Sequence, residues 1–149
     1  MLALLEEFKK EHSKIIKILN EAKKLGILTK EGQAKAIYAK ATLLEHLDEE
    51  DEKIYPVLWN EAKQNKKLNE LLEVFGENFE SICRFVLVFF DRFDKNDLDE
   101  SLFNYFGTLI QVLRNRMDKE ENILYGEYEK IYHQTPSQNP QPLLYSASA

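Results

Sequence analysis

Apolar residues recur along this chain at steps of three and four, the period of one face of an α-helix. From Leu2 to about Leu25 they are Leu5, Phe8, Ile15, Ile16, Leu19 and Ala22. Gly26 follows, a residue that tolerates the left-handed backbone on which helices commonly end. A second run extends from about Glu31 to Ala62, with Ala36, Ala39, Leu43, Leu47, Ile54 and Val57 inward. Pro56 lies inside it and predicts a kink or a break, because proline lacks the N–H and crowds the preceding turn. After the polar connection Gln64-Asn65-Lys66-Lys67, a third run covers about Leu68 to Phe93, with Leu72, Phe75, Phe79, Ile82, Val86 and Phe93 inward. Its segment Phe85-Val86-Leu87-Val88-Phe89-Phe90 would suit a strand in isolation, but the periodic flanks and the lack of turn residues favour a helix. Asp97, with Glu100 three residues later, resembles a capping box at the head of a fourth run, about Leu98 to His133, with Leu102, Tyr105, Leu109, Leu113, Leu124 and Ile131 inward. Residues 134–149 hold Pro136, Pro140 and Pro142 among Ser and Gln without periodicity, and read as a disordered tail behind a single domain spanning 1–133. Four long helices joined by short connections predict an all-α, up-down-up-down four-helix bundle.

Composition narrows this further. With five Gly and four Pro in 149 residues, turn residues are too few for an antiparallel β architecture. No apolar run approaches the roughly 18 residues needed to cross a bilayer, so no membrane partner is expected. A net charge of −6 argues against nucleic acid, which calls for a basic surface. The single cysteine, Cys83, excludes an intramolecular disulfide and any multi-cysteine metal site, and it reads as a small buried apolar residue. The acidic start Met1-Leu2-Ala3-Leu4-Leu5-Glu6-Glu7 lacks the basic residues of a secretory signal. A cytoplasmic location is the expectation.

The informative residues are those that interrupt the apolar stripes. Continuing the first stripe places His12 inward; the second places His46 and Glu50 inward; the fourth places Arg116 and Glu120 inward. Burying such groups costs several kcal/mol each unless they are paired or bound to metal. Residues four apart share a helical face, so His46 and Glu50 can converge, and bundle interiors are where helical proteins assemble carboxylate–histidine metal sites. There is also an internal echo: His46-Leu47-Asp48-Glu49-Glu50, with Tyr55 five residues on, aligns with Arg116-Met117-Asp118-Lys119-Glu120 and Tyr125. Two similar hairpins, each contributing one acid to a common axis, would produce it. Glu49, Asp51 and Glu52 read as a solvated face, the phenylalanines as core, Trp59 as packing at the bundle end, and His133 as a helix-terminal cation with no site role.

Taken together, His12, His46-x-x-x-Glu50 and the trailing Ile54-Tyr55-Pro56 resemble the hemerythrin-like (HHE cation-binding) family over about Leu2 to Tyr132. That family has a His on the first helix, His-x-x-x-Glu on the second, His on the third and His-x-x-x-Glu on the fourth, holding a non-haem di-iron centre used in oxygen binding or in iron and redox sensing. The resemblance carries over to His12, His46, Glu50 and Glu120 as metal ligands of one iron, the glutamates bridging. It departs at two positions: Phe79, with Asn78 beside it, stands where the third-helix His is expected, and Arg116 stands where the fourth-helix His is expected. Arginine stays protonated and cannot ligate, so a two-iron site and reversible oxygen carriage are not expected.

Two outcomes stay open. A single divalent ion, iron with manganese and zinc as alternatives, sits among His12, His46, Glu50 and Glu120; or Arg116 takes the second metal's place and the polar groups form a metal-free ion network. The first makes the chain a metal-binding or sensing protein rather than a catalyst. The second fits a regulator acting on a protein partner: the bacterial regulator of the housekeeping sigma factor is similar in its bundle and in an Arg-led acidic motif on the last helix, here Arg116-Met117-Asp118-Lys119-Glu120-Glu121. A ferritin-like oxidase would need Glu-x-x-His pairs on two helices, and the chain has none.

Overall fold

A computed structural model describes residues 2–134. The first helix, α1 (Ala3–Leu25), ends at Gly26, whose φ of 98° is open to glycine and strained for other residues. Thr29 then starts α2 (Lys30–Lys53): its hydroxyl oxygen accepts from the Gly32 amide at 3.0 Å. The turn is tight enough that a Cβ on Gly32 would lie 1.9 Å from the Gly26 carbonyl oxygen.

The interruption expected at Pro56 is a break at Ile54, after which α3 (Tyr55–Ala62) begins with the proline in its first turn, where its missing N–H leaves nothing unpaired. Asn65 caps α4 (Lys66–Asp94) by accepting from the Leu68 amide at 3.1 Å. The 85–90 segment is helical, with Phe89 and Phe90 buried and Leu87 and Val88 outward. The last rod starts later than the sequence suggests. Helix α5 spans Ser101–Lys119, and Asp97 does not cap it: Arg92 holds the Asp97 carbonyl (3.1 Å), and the Asp99 carboxylate accepts from the Ser101 amide (2.9 Å). A π-helical turn, Glu120–Leu124, leads into α6 (Tyr125–Gln134). Except for Gln134, which ends α6, the segment read as a disordered tail lies outside the described residues.

The rods form a ring: α1 packs on α2 and α5, and α4 packs on α3 and α5, the neighbour relations of the all-α, up-down-up-down bundle. Its apolar interior is in two pieces. One holds Ile15, Leu43, Ile82, Leu113 and Met117; the other holds Leu5, Phe8, Ile54, Phe75, Leu124 and Tyr125. Between them three rods are interrupted by ionisable side chains, at His12, at His46 and Glu50, and at Arg116 and Glu120, while the remaining rod contributes Phe79. The bundle is therefore two cores separated by a polar layer. Trp59 is 42% exposed, so it does not pack beneath the bundle end as expected. No helix among the described residues is long and apolar enough to cross a membrane.

Candidate metal centre

His12, His46, Glu50 and Glu120 each offer one ligand atom, and these atoms all lie within 4.8 Å of one another. All four residues are buried, at 1–3% exposure. Their orientation follows from which atoms are already engaged. His12 Nδ1 is 2.7 Å from Glu121 Oε2, and His46 Nδ1 is 2.5 Å from Glu11 Oε1, so both rings turn Nε2 inward. Inside, His12 Nε2 is 3.2 Å from Glu120 Oε1, and His46 Nε2 is 3.3 Å from Glu50 Oε1. A histidine whose outer nitrogen is held by a carboxylate, leaving the other free, is the usual arrangement of a metal-ligating imidazole.

The second oxygen of each glutamate is occupied. Glu50 Oε2 accepts from Tyr125 Oη at 2.6 Å. Glu120 Oε2 accepts from Arg116 Nε at 3.0 Å and from Tyr55 Oη at 3.4 Å. The rest of the Arg116 guanidinium is equally engaged: Nη1 donates to the Phe75 carbonyl (2.7 Å) and to Asn78 Oδ1 (3.1 Å), and Nη2 donates to Tyr55 Oη (3.1 Å). Its Cζ lies 4.8 and 5.6 Å from the ring centres of Phe75 and Phe79, so cation–π attraction adds to the ion pair.

These contacts give the sequence echo a spatial meaning. Glu11 braces His46 while Asn78 braces Arg116. The Phe8 ring meets the edge of His46 at 5.1 Å, and Phe75 meets Arg116. His12 neighbours His46, their ring centres 4.6 Å apart, as Phe79 neighbours Arg116. Each tyrosine crosses to the other half's glutamate. Around an approximate two-fold axis, one half is built for an imidazole pair and the other for a guanidinium. The π-helical turn makes the second crossing work. One residue wider than an α turn, it brings both Leu124 and Tyr125 inward after Glu120, where a regular helix would swing Tyr125 off the buried face.

Electrostatics follow from this packing. Burial works against a charged His46, yet the close Glu50 carboxylate, and then Glu11, outweigh it and hold its pKa up at about 9. His12 moves the same way: burial is overcome by Glu120 and by Glu121. Burial alone would raise Glu120, but His12 and Arg116 hold its carboxyl below the usual range. Burial, with the Glu50 and Glu120 charges, pushes the Tyr125 phenol far up. The network thus comprises four carboxylates (Glu11, Glu50, Glu120, Glu121) against Arg116 and two imidazoles that favour the charged form.

The residues fit a cation. His46 Nε2 and Glu50 Oε1, both fully buried, face each other at 3.3 Å as an ion-pair contact but make no hydrogen bond among the described residues, although such atoms are almost always satisfied. Two imidazole nitrogens and two carboxylate oxygens suit iron, manganese or zinc. The sequence singled out these four side chains and Arg116, and the structure brings all five into one layer. It left Glu11 unnoticed, gave Glu121 only as the end of the Arg116-led motif, and gave the tyrosines no contact.

No match is found among curated proteins or among solved structures. The family profile for the hemerythrin HHE cation binding domain matches residues 3–128. With the profile spanning all four rods and the buried His/Glu cluster at their centre, this chain belongs to the hemerythrin HHE cation-binding domain family.

Proposed function

We propose that the protein is a metal-binding or sensing protein holding one divalent ion, iron, through His12 Nε2, His46 Nε2, Glu50 Oε1 and Glu120 Oε1. The observation that carries this reading is the division of labour on the two glutamates. Each keeps one oxygen toward the histidines, while the oxygen that a second ion would need is taken by Tyr125 at Glu50 and by Arg116 at Glu120. Phe79 and the guanidinium fill the space where two further histidines would stand. On this reading one metal position is retained, and reversible oxygen carriage by a pair of irons is not expected.

Charge supports the same reading. Metal binding requires neutral imidazoles, so a divalent ion replaces the two protons that His12 and His46 favour in the metal-free state. Two positive charges leave and two arrive, and the cluster's balance is unchanged. The chemistry a bound ion would supply is reversible ligation and a one-electron couple; the protein's own residues orient the imidazoles and fix the carboxylates.

The reading as a metal-free regulator is less favoured. The motif it relies on is spent internally: Arg116, Met117 and Glu120 are buried and Glu121 holds His12, leaving only Asp118 and Lys119 on the surface.

Metal per chain, measured on protein purified from iron-supplied cells, tests the proposal. Near one equivalent, lost in His46→Ala, is the expected result. Two equivalents, or none in a folded protein after iron loading, would overturn it.

A further inference from the structure

A cleft of about 600 Å³ runs between α1 and the last rod, within the size range of sites for small organic ligands. Its α1 wall carries Ser13, Lys17, Asn20 and Lys24, and the facing wall carries Arg114, Asp118 and Glu121. Within each wall these residues recur at three- and four-residue steps, so each wall is one helical face. The inner end of the cleft is His12, whose Nδ1 is held by Glu121 at 2.7 Å.

The charges of the cleft are unequally spent. Of its three acids, Glu121 is engaged by His12 and Glu21 pairs with Lys35 of α2 at 3.4 Å, which leaves Asp118. Its three bases, Lys17, Lys24 and Arg114, make no ion pair or hydrogen bond among the described residues. Three free cations therefore face one free acid, on a chain whose net charge is −6. The sign of the surface reverses inside the cleft, and a concave wall concentrates such a field on whatever enters it.

We propose that this cleft binds a small di- or tricarboxylate. The free charges set the sign of the ligand, and their spacing sets its valence. Lys17 and Lys24 are two turns apart, about 10 Å along the helix, farther than a single inorganic oxyanion reaches. Arg114 lines the opposite wall, and its planar fork matches a carboxylate. Ile16 and the buried Met117 supply apolar surface between the charges, suited to a short carbon chain, while Ser13 and Asn20 add neutral hydrogen-bonding groups. The size of the cleft selects a small molecule, and the acidic surface around it opposes nucleic acid. The inference stands apart from the one-ion reading, because none of the charged side chains it uses is among the four ligands.

The test is calorimetric titration of citrate into the full chain, freed of metal and of chelator, at pH 7 and low salt. Expected is one citrate per chain, bound at least tenfold more weakly by the double variant Lys17→Ala with Arg114→Ala. Both side chains are exposed, so the variant keeps its fold. A control, Lys66→Ala with Lys67→Ala, removes the same charge from the exposed start of α4 and should change the affinity less than twofold. Inorganic phosphate should bind at least tenfold more weakly than citrate. No binding of citrate overturns the inference, as does a cleft variant that binds like wild type. A control that loses as much affinity as the cleft variant overturns it too, since net charge alone would then explain the binding. Phosphate binding as tightly as citrate overturns the assignment to a polycarboxylate. Because the titration uses metal-free protein, each of these outcomes leaves the one-ion reading to its own measurement of metal per chain.

Discussion

Replacing Arg116 with methionine removes a charge while keeping much of the side chain's volume, so the change is electrostatic more than a matter of packing. The guanidinium makes four hydrogen bonds, to Glu120, the Phe75 carbonyl, Asn78 and Tyr55. It is 7% exposed, and its ion-pair partner Glu120 is 3% exposed. Without it, Glu120 Oε2 keeps only the long contact from Tyr55 at 3.4 Å, in a layer closed by apolar residues above and below. Breaking a buried pair by removing one partner costs about 3–5 kcal/mol. For a domain of this size that lowers the melting temperature by about 10–20 °C. The assay is urea unfolding at pH 7 in the presence of a chelator, Arg116→Met against wild type, repeated after iron loading. The deficit should be full in the metal-free protein and smaller when loaded, because a bound cation offsets the orphaned Glu120 charge. A metal-free variant within about 0.5 kcal/mol of wild type, the range of an ordinary surface change, would refute the view that this guanidinium holds the layer together.

Further expectations concern the same layer and its frame. Because the folded-state pKa of His46 is raised to about 9 from the ordinary 6.5, its contribution to metal-free stability is complete below about pH 6.5 and fades as pH rises through about 9; the denaturant midpoint of chelated protein should therefore fall between pH 7 and 9.5, and a flat or rising profile would contradict it. Metal affinity should run the opposite way, tightening with pH, and calorimetry in buffers of differing ionisation enthalpy at pH 6 should show about two protons released per divalent ion; release near zero would mean the imidazoles are already neutral. The double substitution Phe79→His with Arg116→His restores imidazoles to the second half and should raise capacity from one iron to two, measured by elemental analysis; one equivalent in a folded double variant would contradict the approximate two-fold. Gly32→Ala forces a Cβ against the Gly26 carbonyl oxygen 1.9 Å away, so it should lower the melting temperature while leaving metal stoichiometry at one; a neutral melt would mean the α1–α2 turn yields.

The rods were legible because each carries an apolar stripe long enough for the helical period to be unambiguous, and the polar layer was legible as gaps in those stripes. His12 stands out because Phe8 and Ile15 flank it on the same face, and Arg116 because Leu109 and Leu113 lead to it. What escaped the sequence has a common physical origin. Glu11 and Glu121 are each adjacent in sequence to an inward residue, and in a regular helix a neighbour points about a quarter-turn away, toward solvent. They lie at the edge of the layer, 22% and 26% exposed, and reach the outer nitrogen of a ring on a different helix. Such a contact depends on the spacing between rods, which no single-helix pattern records. The π-helical turn is invisible for the same reason: its extra residue is stabilised by what Tyr125 meets across the bundle, not by anything local in Glu120–Leu124. The late start of α5 reflects a side chain from the preceding helix, Arg92, taking the carbonyl and carboxylate of the loop.

The two halves of the layer solve one electrostatic problem in different ways. Each presents a buried glutamate that needs a positive partner. In one half the partner is a side chain fixed by covalent connection, with a guanidinium too large and too fully hydrogen-bonded to leave. In the other the positive charge is exchangeable, supplied either by protons on two imidazoles or by an ion, and the layer is close to neutral both ways. Converting one position to arginine therefore has a consequence beyond lost capacity. The permanent charge beside Glu120 keeps the bundle closed when metal is absent, so the remaining position can empty and fill without unfolding the chain. A layer depending on two exchangeable ions would lose both partners together. On the proposed one-ion reading, the arginine half would let the remaining position empty and fill without loss of the fold.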